Sequence, residues 1–152
     1  MRDRSYVKLE VLASQKEKAE EIIEEEYAGS SEDYESEDGL YTFCFEEVNS
    51  GDLPFLEELT AAGIAFDSSW DAGGDYGPGT DSCRFTPEGE AVTLRVMDDE
   101  INPDIYTLLK NIDDPIALRQ SILDHKKKTT TLSWDDQKEY GQRYQARQLI
   151  SS

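Results

Sequence analysis

Residue types that perform catalysis or bind metals are scarce in this chain. It holds one histidine and two cysteines in 152 residues. His125 stands beside three lysines, where an isolated histidine is more typical of a helix terminus than of a general base. Cys44 and Cys83 are 39 residues apart and have no histidine or Cys-x-x-Cys pair near them, so the usual metal and redox spacings are absent. We therefore expect two buried free thiols, no metal and no cofactor.

Sequence signatures of common enzymes and of membrane insertion are also missing. No Gly-x-Ser-x-Gly, P-loop or dinucleotide fingerprint occurs. Acidic pairs such as Asp98 and Asp99 could act as acid and base, but a pair among 34 carboxylates is uninformative. No apolar run approaches the roughly 18 residues of a membrane span, and the first ten residues lack the apolar region of a signal peptide. These absences predict a soluble, cytoplasmic protein that is not an enzyme.

Positive charge is in short supply, and its distribution is uneven. The formal net charge is -19. Residues 1–100 contain 27 acids and 7 bases, whereas residues 101–152 contain 7 acids and 8 bases. Such a field repels nucleic acid and anionic lipid but attracts basic proteins. The expected partner is therefore a basic protein, with no direct nucleic-acid or membrane binding.

The densest run of acids lies in residues 17–38, which contain eleven of the 27 carboxylates of residues 1–100 and one base, Lys18. A Ser14-x-x-Glu17 capping box predicts a helix that begins near Gln15. Its apolar positions share one face at helical spacing: Ala19, Ile22, Ile23 and Tyr27.

The outer face of this predicted helix is unfavourable for stability. Carboxylates at i,i+4 repel by roughly 0.2–0.5 kcal/mol a pair, and Glu24, Glu25 and Glu26 follow where the helix dipole favours cations. A surface selected only for stability would mix its charges. The pattern thus indicates a surface for a positively charged partner. A solvated acidic face and adaptation to high salt are the alternatives, although salt adaptation would spread the acid over the whole chain.

Hydrophobic patterning predicts an α+β fold. Strands are expected at residues 6–12, 40–48, 64–70, 82–86 and 91–97, with Val92, Leu94 and Val96 pointing inward. Helices are expected after Ser14, after Asp52 and, in the last third, after Asn102, Asp114 and Ser133. This order predicts a mostly antiparallel sheet of about five strands with helices on one face. A ferredoxin-like variant is one version of it.

The predicted organisation is an acidic α/β sandwich core at residues 1–100 and a helical C-terminal segment at residues 101–152, within one domain. The last helix, from Trp134 to about Ile150, either docks on the core through its aromatic residues or provides a surface for dimerisation.

A glycine-rich loop at residues 71–81 holds four glycines and one proline. Asp71, Asp75 and Asp81 offer oxygen ligands for Ca²⁺, but their spacing departs from the EF-hand pattern. The loop is more typical of a long turn. Because Trp70 and Tyr76 flank it and aromatic residues anchor interfaces, it is also a candidate contact site.

By charge and size, the chain resembles the small acidic inhibitors of nucleic-acid-handling proteins, although no residue motif is shared. These are DNA mimics of phages or plasmids that block restriction or CRISPR systems, and immunity proteins that neutralise nuclease toxins. Carboxylates on successive helical turns can imitate a strand of phosphates. The resemblance implies occlusion of a basic protein, and the alternative is an accessory module that uses the glycine-rich loop and the C-terminal helix. The candidate partner-binding residues are Glu20, Glu21, Glu24, Glu25, Glu26, Glu32, Asp33, Glu35, Glu37, Asp38, Trp70 and Tyr76.

Overall fold

The computed structural model describes residues 4–23, 33–49, 52–73 and 76–151. The strands are β1 (Arg4–Leu12), β2 (Tyr34–Glu35), β3 (Leu40–Asn49), β4 (Phe66–Trp70), β5 (Gly79–Phe85) and β6 (Ala91–Met97). The helices are α1 (Lys16–Ile22), α2 (Leu56–Ala61), α3 (Ile105–Lys110), α4 (Pro115–Thr129) and α5 (Gln137–Ser151). None of the helices in these ranges is long and apolar enough to cross a membrane.

The strands form one antiparallel sheet in the order β2-β3-β1-β4-β5-β6. The predicted α+β class is confirmed, with six strands where about five were expected. The first six strands and α-helices run β1-α1-β2-β3-α2-β4, and β3 lies between β1 and β2 while β1 lies between β3 and β4. This is the strand order of the predicted ferredoxin-like arrangement, in which each helix connects strands that are separated by another strand. Strands β5 and β6 add a hairpin beside β4.

The main core lies on one face of this sheet, the helix-covered face. Alternate residues of β1 point into it, and Val7, Leu9 and Val11 are fully buried. Their cross-strand neighbours on β3 include Phe43 and Phe45, which bring large aromatic area into the core. Helices α1 and α2 cover this face through fully buried side chains, Ala19 and Leu59.

Helix α5 packs on the same face through a close backbone contact and an aromatic pair. A Cβ atom at Gly141 would collide with the backbone of Gly63, so both positions require glycine. Gly63 also has φ of +72° and follows α2, a position at which helices commonly end on glycine. The Tyr144 ring lies 5.1 Å from that of Phe85. These contacts dock α5 on the sheet.

The opposite face of the sheet receives residues 130–134. Arg84, which is 2% exposed, places its guanidinium carbon 3.8 Å from the centroid of the Trp134 ring. Its register partner Val92 is on the same face, with Leu94 and Val96 at alternate positions. The prediction that these three point into the main core is wrong, since Val92 is 39% exposed and Leu94 faces a groove beside α4. Helical segments thus lie on both faces rather than on one.

Several predicted helix starts are displaced in the structure. The Ser14 capping box is wrong: a 3₁₀ turn over Ala13–Gln15 precedes α1, and no side chain caps it. Asp52 does not cap α2, which begins after Phe55. Asp104 caps α3 instead of Asn102, and α5 begins three residues later than Trp134.

One predicted cap is confirmed. The Asp114 carboxylate accepts the Ala117 N–H at 3.1 Å, and Pro115 occupies the first turn of α4. Asp-Pro is therefore a reliable local start signal in this chain.

Candidate protein-binding surface

Helix α1 presents a row of carboxylates to solvent. Its inward side is anchored by Ala19 and, just beyond the helix, by Ile23, both buried as predicted. Glu17, Glu20 and Glu21 are consequently exposed on the outer side. Helix α1 ends at Ile22 because Ile23 adopts an extended conformation, with φ of -66° and ψ of 122°.

A second group of carboxylates lies in the β2–β3 hairpin. Glu35, Glu37 and Asp38 are exposed, and Gly39 permits the turn with φ of +79°. The Ala13 N–H donates to the Gly39 carbonyl at 2.8 Å, which joins this turn to the segment between β1 and α1. Both groups therefore lie toward the same end of the sheet. We call these six residues the acidic surface: Glu17, Glu20, Glu21, Glu35, Glu37 and Asp38.

Nearby bases do little to neutralise this surface. Lys16 forms an ion pair with Glu20 at 3.5 Å and lies over the Tyr41 ring, 4.5 Å from its centroid. Lys18 donates to the Gln145 side-chain carbonyl at 3.2 Å and forms no ion pair with an acid of the described residues. Within the described ranges, the other five carboxylates of the acidic surface have no ion-pair partner.

The structure separates the predicted partner-binding residues into distinct groups. Five of them lie on the acidic surface, namely Glu20, Glu21, Glu35, Glu37 and Asp38. Four lie outside the described residues, namely Glu24, Glu25, Glu26 and Glu32. Asp33 has a structural contact, because its carboxylate accepts the Cys44 N–H at 2.7 Å. It is only partly exposed.

The two aromatic candidates of the glycine-rich loop are turned toward the protein. Trp70 is 7% exposed, and its indole N–H donates to the Gly77 carbonyl at 3.0 Å. Arg95 lies over the indole ring, with its guanidinium carbon 5.1 Å from the centroid. Tyr76 is half-buried against the core. Neither side chain is a projecting anchor.

Sequence reasoning omitted one member of the acidic surface from the candidate residues, Glu17, which lies in the first turn of α1 and is exposed. Helix α2 packs against α1 and carries two further exposed acids in its first turn, Glu57 and Glu58. Glu57 lines a groove with residues of β5 and β6, including Asp81 and Arg95. We therefore do not include the α2 acids in the acidic surface.

A polar cluster on the opposite face of the sheet is the other concentration of titratable groups. Glu10 is directly across from Asp67 in the β1–β4 register. Burial, and secondarily the Asp67 charge, raises the pKa of the Glu10 carboxyl. Asp67 in turn forms an ion pair with Arg84 at 2.9 Å.

Arg84 uses this cluster to fasten the C-terminal segment. It donates to the carbonyls of Leu132 at 2.9 Å and Phe66 at 3.0 Å. The guanidinium group thus donates to these backbone carbonyls and to the Asp67 carboxylate. Through these bonds the cluster holds residues 130–134 on the sheet.

Metal ligands do not converge in the part of the chain that the structure describes, where no group of three or more His, Cys, Asp or Glu side chains could hold a metal ion. Asp81, a predicted Ca²⁺ ligand, instead binds Arg95 through both carboxylate oxygens, at 2.6 and 2.8 Å. Cys44 and Cys83 are buried and form no disulfide, as predicted. Burial raises the pKa of the Cys83 thiol, which disfavours the reactive thiolate.

Comparisons with known proteins match no family model, no curated protein and no solved structure.

Proposed function

We propose that the protein is an acidic inhibitor that binds a basic nucleic-acid-handling protein and occludes its nucleic-acid channel. One observation carries this proposal: the acidic surface gathers six exposed carboxylates, and Lys16 alone pairs with one of them among the described bases. A surface of this kind costs stability through repulsion. Binding of a cationic partner removes that cost.

The mechanism is stoichiometric occlusion. Carboxylates one helical turn apart on α1 are separated by about 5.4 Å along the helix axis, and the hairpin adds a second line of charge. Lysine and arginine side chains that neutralise duplex phosphates can meet these carboxylates instead. Long-range attraction accelerates the encounter, and salt weakens it.

The partner class follows from the same chemistry. Restriction enzymes, CRISPR effectors and nuclease toxins all bind nucleic acid through basic channels or patches, so each is a target for such an inhibitor. We place the complex in the cytoplasm, where such nucleases meet DNA or RNA. The alternative, an accessory module anchored by the glycine-rich loop, has less support because Trp70 is buried and Tyr76 is half-buried.

The test compares two variants that carry the same charge but differ in where it is removed. In the first, four carboxylates of the acidic surface are neutralised: E20Q, E21Q, E37Q and D38N. In the control, four exposed carboxylates elsewhere are neutralised: D71N, E88Q, D99N and D135N. Both change the net charge from -19 to -15.

Partners are captured from host lysate with the tagged wild-type protein, released by a salt step and identified by mass spectrometry. Affinity for the captured protein and competition with duplex DNA are then measured for each variant. We expect the first variant to lose at least tenfold in affinity and the control to lose much less. Equal losses, or a captured partner that does not bind nucleic acid, would contradict the proposal.

A further inference from the structure

A second surface, far less acidic, is formed by residues 101–132. The described residues leave thirteen large apolar side chains exposed, and eight of these lie between residues 101 and 123. Ile116 is 84% exposed and Tyr106 is 78% exposed. Soluble monomers rarely expose large contiguous apolar patches. Six of the eight side chains belong to α3 or α4, so we call this region the α3–α4 surface.

Its charge identifies the kind of partner it fits. Residues 101–132 contain four acids and five bases, against 27 acids and 7 bases in residues 1–100. A basic partner is steered toward the acidic part of the molecule rather than toward this region. An acidic protein is repelled by residues 1–100 and meets the least repulsion at residues 101–132. A second copy of this chain is an acidic protein of this kind.

Helix α4 has complementary charges at its two ends. Asp113 and Asp114 stand at its N-terminus, and Lys126, Lys127 and Lys128 lie in its last turn. In an antiparallel pair of α4 helices, each acidic end therefore meets the basic end of the other copy. A parallel pair would instead place like charges together. The helix dipoles also favour the antiparallel arrangement.

The apolar positions agree with that arrangement. Ile116 and Leu123 are seven residues apart, which places them on nearly the same side of α4. An antiparallel pair centred between them sets Ile116 of one copy beside Leu123 of the other. It also sets Asp113 opposite Lys126. Helix α4 is 15 residues long, or about 22 Å, so two such helices can contact each other over about four turns.

The open edge of the sheet continues this surface. Strand β6 is an outermost strand, seven residues long, and it contains no proline; its one charged residue, Arg95, is paired with Asp81. Edge strands of monomers are usually protected by short length, unpaired charge or proline. Val92 of β6 and Leu123 of α4 line a shared groove of about 530 Å³. The apolar area therefore extends from α4 to the sheet edge.

We propose that two copies of this chain associate through the α3–α4 surface, with their α4 helices antiparallel about a two-fold axis. Each copy then keeps its acidic surface free, so the dimer presents two such surfaces. The dimer does not depend on the function proposed above.

The first test uses two substitutions that are matched in type and exposure. Ile116 is 84% exposed and Ile150 is 85% exposed, and only Ile116 lies on the α3–α4 surface. Sedimentation equilibrium at about 0.15 M salt, where the Debye length is about 8 Å, measures association across the micromolar range. We expect a wild-type dimer, at least tenfold weaker association for Ile116→Asp, and no change for Ile150→Asp. A wild-type monomer throughout, or equal effects of the two changes, would overturn the dimer.

The second test checks the antiparallel geometry. Asp113→Lys sets two positive charges against each other where residue 113 of one copy meets residue 126 of the other, and the double change K126E/K127E sets two negative charges against each other there. Each variant alone should associate more weakly than wild type. Mixed one to one, they should recover association because opposite charges meet again at both ends. A mixture no tighter than its components would sink the antiparallel pairing.

The E20Q/E21Q/E37Q/D38N variant should dimerise like wild type, because none of its substitutions lies on the α3–α4 surface. The same variant is expected to lose partner binding. Failure of the inhibitor proposal and failure of the dimer are therefore distinguishable.

Discussion

Gly141 of α5 lies with its backbone directly against the backbone of Gly63, at the turn that follows α2. Alanine within a helix normally stabilises it by roughly 0.5–1 kcal/mol relative to glycine. Here a Cβ atom at residue 141 would overlap the Gly63 carbonyl, a backbone group that cannot rotate away. We expect Gly141→Ala to lower the free energy of unfolding by about 1–3 kcal/mol, measured by urea denaturation. The exposed control Ala146→Gly should cost only the helix propensity, and a stabilised Gly141→Ala would contradict the close contact.

Gln137 bonds the backbone of Phe85 from both ends of its amide. Its side-chain oxygen accepts the Phe85 N–H at 2.7 Å, and its NH₂ group donates to the Phe85 carbonyl at 2.9 Å. Since Gln137 is 2% exposed, Gln137→Leu leaves two groups unpaired at about 1–3 kcal/mol each. Urea denaturation should show that loss, and hydrogen exchange at the Phe85 amide should accelerate. Gln142→Leu, at an exposed position of the same helix, should change neither measurement.

Arg84 is the buried cation that connects the C-terminal segment to the sheet. Arg84→Met removes its bonds to Asp67, Phe66 and Leu132 together, and breaking one partner of a buried pair costs about 3–5 kcal/mol. Thermal and urea unfolding should both report this loss.

Arg143 provides the matched comparison for Arg84. It also lies over an aromatic ring and pairs with a carboxylate, but it is exposed. Arg143→Met should cost under about 1 kcal/mol. The double variant R84M/D67N should recover part of the Arg84 loss, because it no longer leaves a carboxylate unpaired. No recovery would mean that the backbone bonds of Arg84 dominate.

The raised pKa of Glu10 predicts a specific pH dependence of stability. Burial first, and then the neighbouring Asp67, raise the pKa of this carboxyl above its ordinary value of 4.5. The folded protein therefore holds this proton at a pH where the unfolded chain has released it. The resulting contribution to stability is fully present below about pH 4.5 and is lost as the pH rises through the folded-state pKa.

Glu10→Gln should remove that dependence. We expect the variant to be more stable than wild type at pH 7 and the difference to shrink as the pH falls toward 4.5. Unfolding free energies measured between these pH values test it, with the exposed substitution Glu20→Gln as control. A Glu10→Gln protein that is less stable than wild type at pH 7 would contradict the desolvation of Glu10.

Local sequence signals succeeded where a single element determines the outcome. The alternation of Val7, Leu9 and Val11 correctly predicted a half-buried strand, and Asp114-Pro115 correctly predicted the start of α4. The Ser14 capping box failed because an equally local competitor, the 3₁₀ turn over Ala13–Gln15, takes its place. The free-energy difference between a capped α-helix start and a 3₁₀ turn is too small for local sequence to decide between them.

The hydrophobic pattern of a strand did not predict which face of the sheet a side chain occupies, because that depends on what packs there. The alternation of Val92, Leu94 and Val96 identified a strand, but it could not say which face of the sheet each side chain occupies. That depends on α4 and residues 130–134 packing on the face opposite the main core. Trp70 was judged a contact residue from its place beside a loop, whereas the β1–β4 register directs it toward the core.

The sequence by itself determined the charge, the α+β class and the concentration of carboxylates in the first hundred residues, because these follow from composition and from periods of two and 3.6 residues. Only the tertiary structure decided what those carboxylates border. The Ala13–Gly39 hydrogen bond joins the β2–β3 hairpin to the segment that precedes α1. It also left the apolar side of α3 and α4 without cover. Both results depend on contacts between segments far apart in the chain, which local periodicity does not encode.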